Sequence, residues 1–464
     1  MTYSSVGGAR AAFGLAVVCA AHLLVGADGL AVAIALPNLQ KELGVTAIDA
    51  QWTLTAYGLA FGGVLLLGGR LGDLYGRRRL LVSGMMLFAG GSLVAGLAPT
   101  LVLLAVARVV QGLGAAAAVP AALALIGSLY PPGPARTRAL SLLAAMAALG
   151  IMSGLLLGGL ITDVLGWRWV FLLMAGPAAA AAVTGRVLLP EARAEGLAVE
   201  LDGGGAVLLS LGLMAVLFGL TRVEHDGITA IPTVLSLLAG VVLLGSFVFW
   251  EGRAPAPLVR LQILRIRSLR AASLAVGANA LAFISIVYTG TLYLRNTLGY
   301  GPLEAGVALL PVDVVALLVS LAAGGLLARR SPRAVLSVAF GCVVLALLWL
   351  ARAPVPADYL TDLMAPLVVL GVALPTIFIV VTHEAVADVE PDERGLASGI
   401  FETANHLVGG AIGVAVYATV VAMTSDDARD AAGYRTAFLA ATALVLVLGA
   451  AGVLQARRGA PPAL

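Results

Sequence analysis

The chain has 464 residues, of which 61% are hydrophobic and only 11% charged, with a mean hydropathy of +1.03 and a formal net charge of +3. This composition excludes a water-soluble domain and a disordered chain, and it indicates a polytopic membrane protein. The small positive surplus is explained by loop topology, described next, and gives no reason to expect a nucleic-acid partner.

Apolar runs long enough to cross a bilayer fall at 12–36, 49–69, 79–98, 101–129, 139–163, 168–189, 203–221, 230–251, 271–294, 303–328, 334–351, 360–383, 396–423 and 436–455. Fourteen crossings put both termini on one side. Alternate loops carry 20 and 7 of the 28 Lys and Arg residues, with Arg108 inside a helix, so both termini are expected in the cytoplasm. The first apolar run is too long for a signal-peptide core and is expected to stay as an anchor. Cys19 and Cys342 sit far apart inside predicted helices, which argues against a disulfide framework.

The first helix carries His22 and Asp28 and reaches Leu36-Pro37-Asn38-Leu39, where it is expected to end. An aspartate in the hydrocarbon core costs about 2.5–3.5 kcal/mol on insertion scales, so it needs a partner or a water-filled cavity. Asp28 precedes Pro37 by nine residues, which places it about 13 Å below the outer end.

Between the second and third helices stands Gly69-Arg70-Leu71-Gly72-Asp73-Leu74-Tyr75-Gly76-Arg77-Arg78-Arg79. The glycines allow close helix approach, and Asp73 is placed to meet Arg77 or the positive N-terminus of a neighbouring helix. Gly69, Asp73, Gly76 and Arg77 are therefore candidates for conformational gating, although the arginines alone would serve to fix topology. This stretch resembles the loop signature of the major facilitator superfamily. The resemblance implies two six-helix bundles, here with two additional central helices, in an all-α membrane fold.

Ala27-Asp28 through Ala35-Leu36-Pro37 resembles the first-helix motif of the fourteen-helix drug:proton antiporters, with Leu30 and Ala33 where that pattern often has Thr and Asn. Gln51-Trp52 and Tyr57 in the second helix fit the same subgroup. Arg108-Val109-Val110-Gln111-Gly112-Leu113-Gly114 resembles the superfamily's fourth-helix motif. Arg108 lies about 10 Å in from Leu101, a depth similar to that of Asp28. The family implies a proton-coupling role for Asp28 and Arg108; a buried ion pair that only stabilises the bundle is the alternative.

In the fifth helix Gly150, Gly154, Gly158 and Gly159 make a smooth face and resemble the antiporter motif, with Leu155 where the motif has Pro. The departure leaves export less firmly implied, and tight packing alone is the other reading. Trp167-Arg168-Trp169-Val170-Phe171 opens the sixth helix as in the drug antiporters, and interfacial anchoring explains it equally well.

The polar segment 190–202, with Glu191, Arg193, Glu195, Glu200 and Asp202, closes a first six-helix bundle over 1–190. Residues 191–270 then hold linkers and an inserted seventh and eighth helix. They end in Arg253 to Arg270, a basic segment with Pro255 and Pro257 that is expected to anchor amphipathically. The second bundle is expected over 271–464. Gly325 to Arg333 repeats the frame of Gly69 to Arg77, with Arg329 in place of the Asp, and repeated halves place a substrate site between them near the midplane.

In that half Asn279, Phe283, Ser285, Tyr288 and Thr291 suit a cavity for amphipathic molecules, as well as plain helix packing. Asp313 stands ten residues in from Leu303 and is a candidate cavity carboxylate. Glu402 and His406, four apart on one face, stand where the family commonly has Asn and Gln, with an intervening spacing one residue longer. They are read as a site for a cationic substrate or proton, or as a cap in the case of Glu402. Further His or Cys ligands do not converge, so no metal is expected.

No nucleotide-binding loop or catalytic triad occurs in the sequence, so neither ATP use nor enzymatic activity is expected, and no cofactor is implied. The reading is a monomeric transporter of the cell membrane that exports lipophilic, often cationic drugs or an antibiotic in exchange for protons. An uptake symporter or uniporter of the same fold is one rival, and a non-transporting membrane sensor is a rival of another class.

Overall fold

The computed structural model describes residues 8–131, 133–191, 202–254, 257–326, 331–354, 357–390, 393–424 and 431–457. In a bilayer each backbone donor and acceptor has to be satisfied within the segment, so the apolar runs become helices. They are α1 (Gly8–Leu43), α2 (Ala47–Tyr75), α3 (Arg77–Leu97), α4 (Leu101–Leu129), α5 (Pro134–Val164) and α6 (Arg168–Leu188). Then come α7 (Gly203–Asp226), α8 (Ile231–Glu251), α9 (Arg267–Ile284), α10 (Pro302–Leu326), α11 (Pro332–Ala351), α12 (Ala365–Ala385), α13 (Arg394–Ala404), α14 (Val414–Thr424) and α15 (Ala431–Gln455). Among the described residues 13 helices are long and apolar enough to span a membrane. In addition, α10 occupies the place of the span expected at 303–328.

Side-chain caps set several starts. Thr46, Thr100 and Ser331 accept the backbone N–H of Asp49, Leu103 and Ala334. Gly76 forms the whole turn between α2 and α3, and its φ of 106° is open to glycine at little cost.

Two expectations about the helices are corrected. The first helix does not stop at Pro37 but continues to Leu43, with Pro37 inside it. Pro37 forfeits one backbone bond, while Ala35 and Leu39, both at 0% exposure, hold the surrounding turns in packed structure. The ninth, twelfth and thirteenth spans are not uniformly α-helical. They contain π-helical stretches at Ser285–Gly290 and Tyr293–Thr297, at Tyr359–Met364, and at Asn405–Gly413. A π turn accommodates one extra residue without breaking the helix, which fits the longer spacing between Glu402 and the Gly409-Gly410 pair.

The described residues fall into two compact units: Met1–Phe218 with Leu238–Ile263 and Val389–Glu402, and Gly219–Leu237 with Leu264–Asp388 and Thr403–Leu464. In the first unit α5 lies along α1 at van der Waals range. A Cβ on Gly150 would stand 2.5 Å from the Leu23 carbonyl, one on Gly158 would stand 2.6 Å from Ala31 Cα, and one on Gly154 would press into Ala27. Gly112 sits equally close to Tyr57 of α2, and Gly84 to Gly114 across α3 and α4. Without a solvent-driven hydrophobic force, such small-residue contacts supply the helix adhesion. In the second unit Gly409 and Gly413 pack on Ala280 and Ile284 of the ninth span, and Gly371 packs on Val312.

Arg193, Glu195, Glu200, Pro255, Arg329 and Arg330 lie outside the described residues, and with them most of the 190–202 linker and the middle of the Gly325–Arg333 repeat. Cys19 and Cys342 are both free thiols.

Candidate functional site

Asp28 is the twenty-first of the 36 residues of α1, and Arg108 the eighth of the 29 of α4. Helices α1 and α4 bring them together, and both side chains have 0% exposure. Arg108 Nη1 donates to both Asp28 oxygens, at 2.6 and 2.8 Å, and to Gln111 Oε1 at 3.0 Å. Arg108 Nε donates to the Thr53 carbonyl of α2 at 2.8 Å. Gln111 Nε2 in turn donates to Ser92 Oγ of α3 at 2.7 Å and lies 3.5 Å from Asp28 Oδ1.

The guanidinium is flanked by aromatic faces. Its carbon lies 4.3 Å from the Tyr57 ring centroid and 5.7 Å from that of Phe171, and a desolvated cation over such faces gains attraction from the ring quadrupole. Two polar atoms at the pair, Arg108 Nη2 and the Tyr57 hydroxyl, have no hydrogen-bond partner among the described residues. The result is an electroneutral pair in oil. Asp28 is the member that can take up a proton, since a guanidinium stays charged in any accessible pH range.

A second cluster forms where α2 meets α3. Asp73 Oδ1 accepts from Arg77 Nη2 at 2.8 Å and Nε at 3.2 Å, and from the Gly395 N–H at 3.0 Å; Oδ2 accepts the Leu396 N–H at 2.8 Å. The carboxylate thus seats the first turn of α13, where unpaired backbone donors and the helix dipole favour an anion. Both glycines at the crossing are required sterically: a Cβ on Gly395 would stand 2.5 Å from Asp73 Oδ1 and from the Gly69 carbonyl, and one on Gly69 would press into Gly395. Arg78 and Arg79 reach Glu191 at 3.2 and 3.5 Å, next to Gly76.

Three of the four fifth-helix glycines, Gly150, Gly154 and Gly158, press against the α1 backbone around Asp28; Gly159 is looser, since a Cβ there would meet the Ile34 side chain of α1 at an ordinary 3.8 Å. Trp167 is not an interfacial anchor. It is 1% exposed and donates to Glu42 Oε2 at 2.8 Å, while Arg168 pairs with the same carboxylate. Trp169, 44% exposed, keeps the lipid-facing place.

In the second unit Asn279 is 7% exposed, and its Oδ1 lacks a partner among the described residues. Phe283 follows it on α9, Tyr288 lies in the first π stretch, and Asp313 is half-buried on α10. His406 is half-buried in the π stretch after α13, whereas Glu402, 3% exposed, belongs to the first unit. The α-helical register assumed between Glu402 and His406 therefore ends at Ala404. A recess of about 550 Å³ in the second unit has other walls, Val335, Ala339, Cys342, Val372 and Thr376 among them, between α11 and α12.

The sequence pattern of the Major Facilitator Superfamily matches residues 18–414. This chain belongs to that superfamily. It is 40% identical over 415 residues to the puromycin resistance protein pur8 of Streptomyces alboniger, covering 88% of this chain and 81% of that one. It is 32% identical over 440 residues to the cephamycin export protein CmcT of Amycolatopsis lactamdurans, covering 94% and 90%. The crystal structure of the human organic anion transporter MFSD10 (TETRAN) superposes with a TM-score of 0.69 at 18% identity, covering 95% of this chain and 98% of that chain, and shares the fold.

Sequence reasoning picked out the two charges of this superfamily member but not their setting. Gln111, three residues after Arg108 and so near it on the helix, carried a readable signal. Thr53 acts through its carbonyl, which no side-chain pattern reveals, and Ser92 has no charge or spacing to mark it.

Proposed function

We propose that this superfamily member is a secondary active efflux transporter of the cell membrane, with both termini in the cytoplasm. It exchanges lipophilic, often cationic compounds for protons by alternating access, and it works as a monomer. The buried Asp28–Arg108 pair carries this reading, because a carboxylate held, among the described residues, by a cation and an amide in a membrane bundle can trade that cation for a proton. The names of the relatives, which include antibiotic resistance and export proteins, support the outward direction and the substrate class.

In this mechanism protonation of Asp28 releases Arg108, and Asp73 seats or frees the first turn of α13 as the transporter changes state. Asn279, Phe283, Tyr288, Asp313, Glu402 and His406 are assigned to substrate contact. The deciding measurement is dye and antibiotic efflux from cells, with and without a protonophore. Asp28→Asn should reach the membrane in normal amount and lose proton-driven efflux; unchanged efflux removes Asp28 from the mechanism. The Leu at 155 favours one second reading, uptake rather than export, and substrate accumulation driven by an inward proton gradient would decide for it.

A further inference from the structure

Among the described residues, Arg70 is the one arginine of the Gly69–Arg79 stretch that makes no ion pair. It lies on α2 three residues before Asp73 and is 6% exposed. Its Nε and Nη1 are buried and donate to no partner among the described residues. The charges around it are Asp73, Arg260, Glu393 and Glu251, all in the first unit.

Glu251 ends the inserted helix α8 and is 5% exposed. Its Oε1 accepts the N–H groups of Leu258 and Val259 at 3.2 and 3.3 Å, which folds the following segment back on the helix end. Its Oε2 is buried with no partner among the described residues. The chain runs on one residue to Arg260, which reaches Glu393 at 3.4 Å, and Glu393 immediately precedes the α13 turn that Asp73 holds.

A buried guanidinium with two unsatisfied N–H groups therefore faces a field that includes a buried carboxylate with one unsatisfied oxygen. Each is costly alone, and each supplies what the other lacks. Arg77 already occupies Asp73, and Arg260 already engages Glu393, so among the described residues Glu251 is the neighbouring carboxylate with an oxygen that no other donor holds.

We propose that Glu251 is the docking carboxylate for Arg70 in a second state of this cluster, making the inserted α7–α8 hairpin a working part of the gate. When the first turn of α13 leaves Asp73, Arg70 closes onto Glu251 Oε2 and holds the end of α2 against the hairpin. Return of the turn breaks that pair. Arg70 and Glu251 are positioning residues, since neither touches substrate. The proposal rests on the transport reading for its consequence, but the pairing can be tested apart from it.

The experiment is a double-mutant cycle on the full chain, with Arg70→Gln, Glu251→Gln, both together, and the exchange Arg70→Glu/Glu251→Arg. Two readouts are taken on each: thermal melting of the purified protein, and the rate of dye efflux at a matched amount in the membrane. Each single variant should lose about tenfold in maximal efflux rate with an unchanged half-saturating dye concentration. The double variant should be no worse than either single one, and the exchange should recover at least half of the lost rate. Independent, multiplying effects of the two substitutions in both readouts, with no recovery on exchange, would overturn the pairing. Should the wild-type chain move no dye, the efflux reading falls by itself, and non-additive melting still tests the pair.

Discussion

The guanidinium of Arg108 has no water to fall back on, so its neighbours decide its fate one by one. Removing it leaves Asp28 buried without its cation and, among the described residues, held by an amide 3.5 Å away. Loss of one partner of such a pair costs about 3–5 kcal/mol. Arg108→Leu should lower the melting temperature of the purified protein sharply, and adding Asp28→Asn to it should restore much of the loss, because the orphaned charge goes with it. A double variant less stable than Arg108→Leu would show that the carboxylate is satisfied in some other way. Asp358, outside the spans, behaves in the opposite manner. Bonds from the Thr361 N–H and hydroxyl and from the Leu360 N–H hold its carboxyl below the usual range. Its folded pKa is depressed, so its contribution is present above the unfolded value and fades as pH falls through the folded one. Asp358→Asn should therefore lower melting at neutral pH, the difference from wild type beginning to shrink as pH falls below about 4 and closing only below the depressed folded value.

Among the helices, α5 gives the sharpest contrast, because its glycines look alike in sequence and differ in what they touch. Gly154→Ala puts a methyl into the Ala27 backbone, which cannot yield without moving α1 and Asp28 with it; Gly159→Ala meets only Ile34 at ordinary contact distance. Overpacking of this kind costs about 1–3 kcal/mol. Gly154→Ala should reduce both stability and efflux, while Gly159→Ala should leave both near wild type; equal behaviour in melts and transport assays would refute the packing account. Spans such as α4 and α8 were legible from hydropathy nearly to the residue, since the bilayer imposes length and composition together. The charged members of the site were legible because an intramembrane Asp or Arg is rare and costly. The α-to-π transitions at Ser285 and Asn405 were not, because periodicity over a uniformly apolar run carries no phase from which an extra residue per turn could be read. Pro37 misled for a related reason, since neighbouring helices stabilise a proline inside a membrane helix that would break one in water.

At the level of the whole molecule, the thirteenth span links the two units within a few residues. Up to Glu402 it belongs to the unit that holds Asp73, from Thr403 to the other, and its winding changes at Asn405. Asp73→Asn weakens the hold on the N–H groups of Gly395 and Leu396, and a hydrogen bond to a charged group is worth about 1.5–3 kcal/mol. Efflux should fall at least tenfold at an unchanged amount in the membrane, which a matched transport assay measures; wild-type rates would mean that the tie is not used in the cycle. The seclusion of Asp28 has a further consequence, one of timing. Under the proposed proton coupling, with neither member of its ion pair touching solvent, hydronium does not reach the carboxylate directly, and exchange waits for the helices to part. The tempo of acid entry is then a clock for a mechanical event, indifferent to how crowded the bath is with buffer.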